Sequence, residues 1–177
     1  MIRITGGENR SRLLETPNTT LTKPTMDKVR AGVFSALGDA VLHASVLDLF
    51  AGSGSYGFEA LSRGAKDATF VELNRETAKV IQRNAANLKR ENITVKIDDV
   101  LSFLSGNTGN FDIIFADPPY KLDVYEKMVD VILEKNILTE NGKIVLEREK
   151  ELNIDESRFK KVKIYNYGLA KVYILRK

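Results

Sequence analysis

The chain has 177 residues, 43% hydrophobic and 29% charged, with a mean hydropathy of −0.21, which excludes a disordered chain and an integral membrane protein and fits one domain with short additions. It has no cysteine and a single histidine, His43, so disulfides, cysteine nucleophiles and Cys- or His-rich metal sites are excluded; the start lacks a signal-peptide apolar core, and the cytosol is the expected compartment. The net charge of +3 is uneven: six Lys/Arg oppose four acids in residues 1–44, twelve oppose sixteen in 45–147, and nine oppose four in 148–177, so contact with a polyanion is expected from the ends.

In chain order, Arg3-Ile4-Thr5-Gly6-Gly7 and Ser11–Leu14 flank a polar Glu8-Asn9-Arg10 and predict a small hairpin. Pro17 and Pro24 then interrupt regular structure, and Thr25 or Asp27 is the expected N-cap of a helix over Lys28–Leu37. Residues 1–26 are therefore read as an N-terminal extension and 27–177 as the main domain.

From Ser45 onward short apolar runs alternate with longer amphipathic ones. Strands are expected at Val46–Phe50, Thr69–Glu72, Thr94–Ile97, Asp112–Ala116 and Lys143–Glu147. Helices are expected at Tyr56–Ser62, Arg75–Arg90, Val100–Leu104 and Val124–Lys135. Within Arg75–Arg90, the residues Ala78, Ile81, Ala85 and Leu88 recur every three or four positions and form one apolar stripe. Lys160–Tyr165 and Ala170–Leu175 are β-rich around Tyr167-Gly168 and predict an antiparallel hairpin at the sheet edge, guarded by lysines. The expected fold is α/β: a mostly parallel seven-stranded sheet of Rossmann-like type, an antiparallel C-terminal hairpin and a short N-terminal β-hairpin.

Two turns carry chemistry. The first, Leu47-Asp48-Leu49-Phe50-Ala51-Gly52-Ser53-Gly54-Ser55-Tyr56-Gly57, joins strand to helix through three spaced glycines. Glycine permits the sharp turn and exposes bare N–H groups to a ligand. Glu72 follows at the end of the next strand, where a carboxylate grips a ribose diol. Glycines and acid alone fit NAD, FAD or S-adenosylmethionine. Asp48, just before the glycines, would repel a pyrophosphate and favours a ligand with a cationic amino-acid end.

The second turn ends an apolar strand in Asp117-Pro118-Pro119-Tyr120. A carboxylate and the Pro118 carbonyl can accept both N–H bonds of a planar exocyclic amine, and an aromatic can stack on its ring. An NAD-dependent oxidoreductase would not need this turn, and a non-catalytic RNA-binding module would have no use for an acidic pocket.

Asp117–Tyr120 resembles the (D/N)PPY motif of class I S-adenosylmethionine-dependent amino-methyltransferases. Arg3–Gly7, Lys23-Pro24-Thr25-Met26-Asp27-Lys28-Val29-Arg30, Leu47–Gly54 and Glu59–Ala65 together resemble the bacterial 16S rRNA guanine-N2 methyltransferase family. The leader blocks make that resemblance specific, because a DNA adenine or protein amide methyltransferase shares the other four residues. The family often carries Arg where Lys23 stands and a different helix start around Gly32.

The resemblance implies methyl transfer to guanine N2 in 16S rRNA, within an assembling small subunit, without metal or membrane. It places Asp117, Pro118, Pro119 and Tyr120 at the reacting amine. It assigns Asp48, Ala51, Gly52, Gly54, Glu72 and Asp99 (with Asp98 as rival) to the cofactor. Arg3, Arg10, Arg12, Lys23 and Arg30 are the expected RNA contacts.

Overall fold

The structure is a computed structural model that describes residues 1–17, 24–106, 109–119, 122–149 and 151–177, with residues 24–26 described by backbone alone. Lys23 and Tyr120 lie outside the described residues. Seven strands form one sheet in the order β5-β4-β3-β6-β7-β9-β8. They are β3 (Ser45–Leu49), β4 (Asp67–Glu72), β5 (Ile93–Ile97), β6 (Phe111–Ala116), β7 (Leu138–Arg148), β8 (Lys161–Tyr167) and β9 (Ala170–Arg176). β3 to β7 are parallel; β9 runs antiparallel to β7, and β8 antiparallel to β9. The strand order reverses between β3 and β6, and that reversal opens a crevice at their carboxyl ends.

Helices cover both faces. α1 (Pro24–Leu37), α2 (Ser55–Ser62) and α3 (Arg75–Leu88) contribute to one apolar core; α4 (Val100–Gly106) and α5 (Tyr125–Glu134) contribute to the other. The predicted stripe of α3 is buried throughout, from Ala78 to Leu88. Strand alternation sorts the rest: Val46, Ile113 and Phe115 enter the first core, while Leu47, Leu49, Ile114 and Ala116 enter the second. β7 runs from Leu138, longer than expected, and β8 is the sheet's outer strand, with Lys161 and Lys163 exposed.

One expectation needs correction. The first long helix begins at Pro24 and not at Lys28. Proline is well suited to the first helical position, because its φ is already helical and its missing N–H would have had no partner. Asp27 therefore sits inside the first turn, where it binds Arg30 at 2.8 Å. The division between residues 26 and 27 falls inside this helix.

The leader is a two-stranded hairpin, β1 (Ile2–Arg3) with β2 (Leu13–Leu14), and Ile2, Ile4 and Leu14 belong to the first core. Its polar anchor is Glu59 of α2, which is 0% exposed. That carboxylate accepts from the Thr5 amide (2.8 Å), the Thr5 hydroxyl (2.7 Å), Arg63 Nε (2.8 Å) and Arg30 Nε (3.3 Å). The Arg63 guanidinium also lies 5.2 Å from the centre of the Phe34 ring. One buried acid thus ties the leader, α1 and α2 together, and each N–H offsets part of its desolvation.

Gly32 of α1 also acquires a reason. A Cβ there would stand 2.3 Å from the Tyr167 hydroxyl, so the missing side chain lets the helix sit against β8.

Candidate active site

Glycine turn and DPP turn meet at the strand-order reversal, the first following β3 and the second following β6. Gly52 and Gly54 adopt φ of +55° and +79°, a left-handed conformation that glycine enters at little cost. A Cβ on Gly52 would meet nothing nearer than the Phe50 carbonyl at 4.0 Å, so its bare backbone faces open space. Gly57 serves packing instead, since a Cβ there would stand 2.3 Å from the Phe70 ring. The Ser53 carbonyl accepts from the buried Asn84 of α3, whose amide also pairs with the Glu15 backbone. The turn is therefore held in place from the leader side as well.

Glu72 closes the turn on its outer side. Its two carboxylate oxygens accept from the amides of Gly52 (2.9 Å) and Asn74 (2.8 Å). This pins the carboxylate at the lip of the crevice while leaving it lone pairs for hydroxyl donors.

Asp48 is 3% exposed, and its Oδ2 accepts from the Gly57 amide at 2.9 Å. Burial pushes its carboxyl up to about 8; the Gly57 bond opposes the rise and the nearby Glu72 adds to it. The folded state therefore holds this proton to higher pH than the unfolded chain, whose ordinary value is 3.8. The stability it contributes is complete below about pH 4 and is lost as pH rises towards 8. Asp48→Asn keeps an acceptor for Gly57 and should flatten the fall of Tm between pH 5 and 8 seen by scanning calorimetry. Asp117 and Glu147 are raised too, so the slope should shrink without vanishing. Identical slopes in the two proteins would show that Asp48 ionises as freely folded as unfolded.

Asp99 is placed at the start of α4, where its Oδ1 accepts from the Ser102 amide at 3.0 Å. It is a helix cap as well as a candidate for the adenine amine, with its second oxygen unspent among the described residues. Asp98 accepts from the Asp99 amide at 2.8 Å. Both are exposed, beyond the end of β5.

Across the crevice, Asp117 is half-buried and Pro118 buried. No hydrogen bond reaches the Asp117 carboxylate or the Pro118 carbonyl among the described residues, while the Pro119 carbonyl accepts from the Leu122 amide at 2.8 Å. Burial, then the carboxylates of Glu147 and Asp48, push the Asp117 carboxyl well above the usual range.

Glu147, on β7, is the functional candidate that sequence reasoning missed. Ala116 pairs with Leu146 in the β6–β7 register, so Asp117 and Glu147 follow side by side. Tyr56 donates its hydroxyl to Glu147 Oε2 at 2.6 Å and stacks on Phe115 with ring centres 4.9 Å apart. Tyr125 donates to the Glu147 carbonyl at 2.7 Å. Burial pushes the Glu147 carboxyl up, opposed by Tyr56 and by Arg30.

The expected RNA contacts separate. Arg3, Arg10 and Arg12 are exposed, and Arg12 donates to the Asn87 carbonyl at 3.0 Å. Asn87 follows Asn84, which bonds the Ser53 carbonyl of the glycine turn, by three residues of α3, so this edge of the leader stands about 4.5 Å further along the helix. Arg30 is corrected. It is 2% exposed and bonds Asp27, Glu59 and the Arg3 carbonyl, so its guanidinium is spent inside the fold and cannot reach a phosphate.

A sheet of this topology, with a glycine turn and a DPP turn at its switch point, defines a class I methyltransferase. A solved structure of this fold, the protein yhhF from Escherichia coli, superposes with a TM-score of 0.90 at 32% identity, covering 99% of this chain and 97% of that one. The fold is shared with the 16S rRNA N2 methyltransferase RsmC of Thermus thermophilus, solved with AdoMet and guanosine (TM-score 0.72, 22% identity, covering 92% of this chain and 45% of that one). The family described as Conserved hypothetical protein 95 matches residues 2–176. Ribosomal RNA small subunit methyltransferase D from Escherichia coli is 37% identical over 85% of this chain and 76% of its own length. The Haemophilus influenzae protein of the same name is 38% identical over 85% and 80%. The chain belongs to the small-subunit ribosomal RNA methyltransferase D family.

Proposed function

We propose that this chain transfers a methyl group from S-adenosylmethionine to the exocyclic N2 of a guanine in 16S rRNA, acting in the cytosol on an assembling small subunit. The observation that carries this reading is the pair of unspent acceptors, Asp117 and the Pro118 carbonyl, beside an open glycine turn, in a chain of this family. The residues present fit the cofactor. Gly52, its amide held by Glu72, leaves open space where a side chain would stand, Glu72 offers a fixed carboxylate for ribose hydroxyls, and Asp48 is a buried acid whose ionisation a cationic amino group would favour. Ala51 and Gly54 complete the turn, and Asp99 is the acceptor for the adenine amine. S-adenosylmethionine, when bound, supplies an electrophilic methyl group.

The chain's own task is to prepare the amine. The N2 lone pair of guanine is delocalised into its ring. Asp117 and the Pro118 carbonyl accept its two N–H bonds, draw it towards tetrahedral geometry and aim the lone pair. Positioning of this kind is worth ~7–11 kcal/mol at best. Tyr120 adds a stacking surface for the base, and Pro119 fixes the turn. The base must leave its stack to enter, which favours a loop over a continuous duplex.

The test offers labelled S-adenosylmethionine with small subunits from a strain lacking the enzyme, naked 16S rRNA and duplex DNA. Label in N2-methylguanosine at one rRNA site is the expected product. Label only in DNA, or in no nucleic acid while the cofactor still binds, would overturn the substrate. Arg3 and Lys23 are proposed to contact phosphate beside Arg10 and Arg12. Replacing Arg10 and Arg12 together by alanine should weaken RNA binding and lower its salt slope by about 1–2. An unchanged slope would take this edge of the leader out of the RNA interface.

A further inference from the structure

Asp117 and Glu147 stand in lateral register at the carboxyl ends of adjacent parallel strands, where neighbouring chains lie ~4.8 Å apart. They share one face of the sheet. Phe115 and Val145 enter the first core, Ala116 and Leu146 the second, and the alternation returns Asp117 and Glu147 to the side of Phe115 and Tyr56. Two half-buried carboxylates this close repel each other, and no Lys or Arg forms an ion pair with either among the described residues. Glu147 is nonetheless held in position, its Oε2 engaged by Tyr56 and its backbone carbonyl by Tyr125. Its Oε1, both Asp117 oxygens and the Pro118 carbonyl have no donor among the described residues. Such an arrangement is costly in the free protein and is relieved by a ligand that brings several N–H donors along one edge.

We propose that Glu147 is a guanine-reading residue: its free Oε1 accepts the N1–H of the target base while Asp117 and the Pro118 carbonyl accept the two N2–H bonds. This rests on the guanine-N2 reading above and deepens it. The Watson–Crick edge of guanine carries three neighbouring N–H hydrogens, and the site presents three acceptors. Adenine fails the match, because its N1 is an acceptor and would place a lone pair against the carboxylate. Cytosine fails likewise at N3. A site built to bond a donor rejects an analogue lacking it far more strongly than an apolar pocket rejects a missing methyl. Tyr56 acts as a positioning residue, because its hydroxyl fixes which carboxylate oxygen is left for the base.

The experiment compares small subunits reconstituted with guanine or with 2-aminopurine at the methylated position. 2-Aminopurine keeps the C2 amine but has an unprotonated N1. Wild type should favour guanine by about 100-fold or more in kcat/KM. Glu147→Gln can donate to that N1, so the preference should fall at least tenfold, with S-adenosylmethionine affinity by calorimetry unchanged. Tyr56→Phe should lower the preference by a smaller factor. A Glu147→Gln enzyme that keeps the wild-type preference within twofold, while losing or retaining overall rate, overturns the reading role and leaves Glu147 a structural acid. A wild type that labels guanine nowhere overturns the guanine-N2 reading itself, which is a different and separately visible failure.

Discussion

Asp117→Ala is expected to cut methyl transfer to rRNA by about 10³-fold or more while leaving S-adenosylmethionine affinity within a factor of a few. The asymmetry follows from placement. Asp117 lies on the β6 side of the crevice, whereas the glycine turn and Glu72 lie on the β3–β4 side, each anchored by its own backbone bonds. Removing the Asp117 carboxylate also relieves its repulsion with Glu147 and Asp48, so the variant should be no less stable than wild type and is assayed at the same temperature. Single-turnover kinetics with bound cofactor would isolate the chemical step. A variant with full single-turnover rate would assign the amine acceptor elsewhere.

The largest effect on stability is expected at Glu59. Glu59→Ala leaves Arg30 buried with Asp27 and one carbonyl, strips Arg63 of its carboxylate, and removes the acceptor of the Thr5 amide and hydroxyl. Breaking a buried ion pair on one side costs about 3–5 kcal/mol. For a chain of this size that lowers Tm by roughly 10 °C. Arg30→Met should cost less, because Glu59 keeps Arg63 and Thr5. If the two variants melt together, the carboxylate is not the common anchor of the leader, α1 and α2.

Much of the fold is legible in the sequence because its elements differ in period. The short apolar runs of the buried strands and the helical spacing of the α3 stripe place the seven strands and five helices described above within a few residues of where they lie. The glycine turn and the DPP turn are legible because each is contiguous, and glycine and proline impose local geometry. What escapes is whatever depends on alignment between distant segments. Glu147 looks like any acid at a strand end until the β6–β7 register sets it beside Asp117, thirty residues earlier in the chain. Arg30 resembles other exposed arginines on a helix, and only the docking of α2 supplies Glu59 to bury it. Asp99 caps α4, and because a helix cap and a ligand acceptor both want a carboxylate at that turn, the sequence by itself does not separate the two.

The leader's anchors also set the order in which the chain can be completed during synthesis. Thr5 waits for Glu59 (54 residues later), Glu15 for Asn84 (69 residues) and Asn9 for Arg90 (81 residues). At the usual pace of translation the last of these takes about 4–16 s to arrive. Until then the leader, made before its partners, has nothing for its hairpin to dock on, and its Ile2, Ile4 and Leu14 have no core to enter. The leader is therefore among the last parts to settle, and its docking reports that the glycine turn and α3 are already in place.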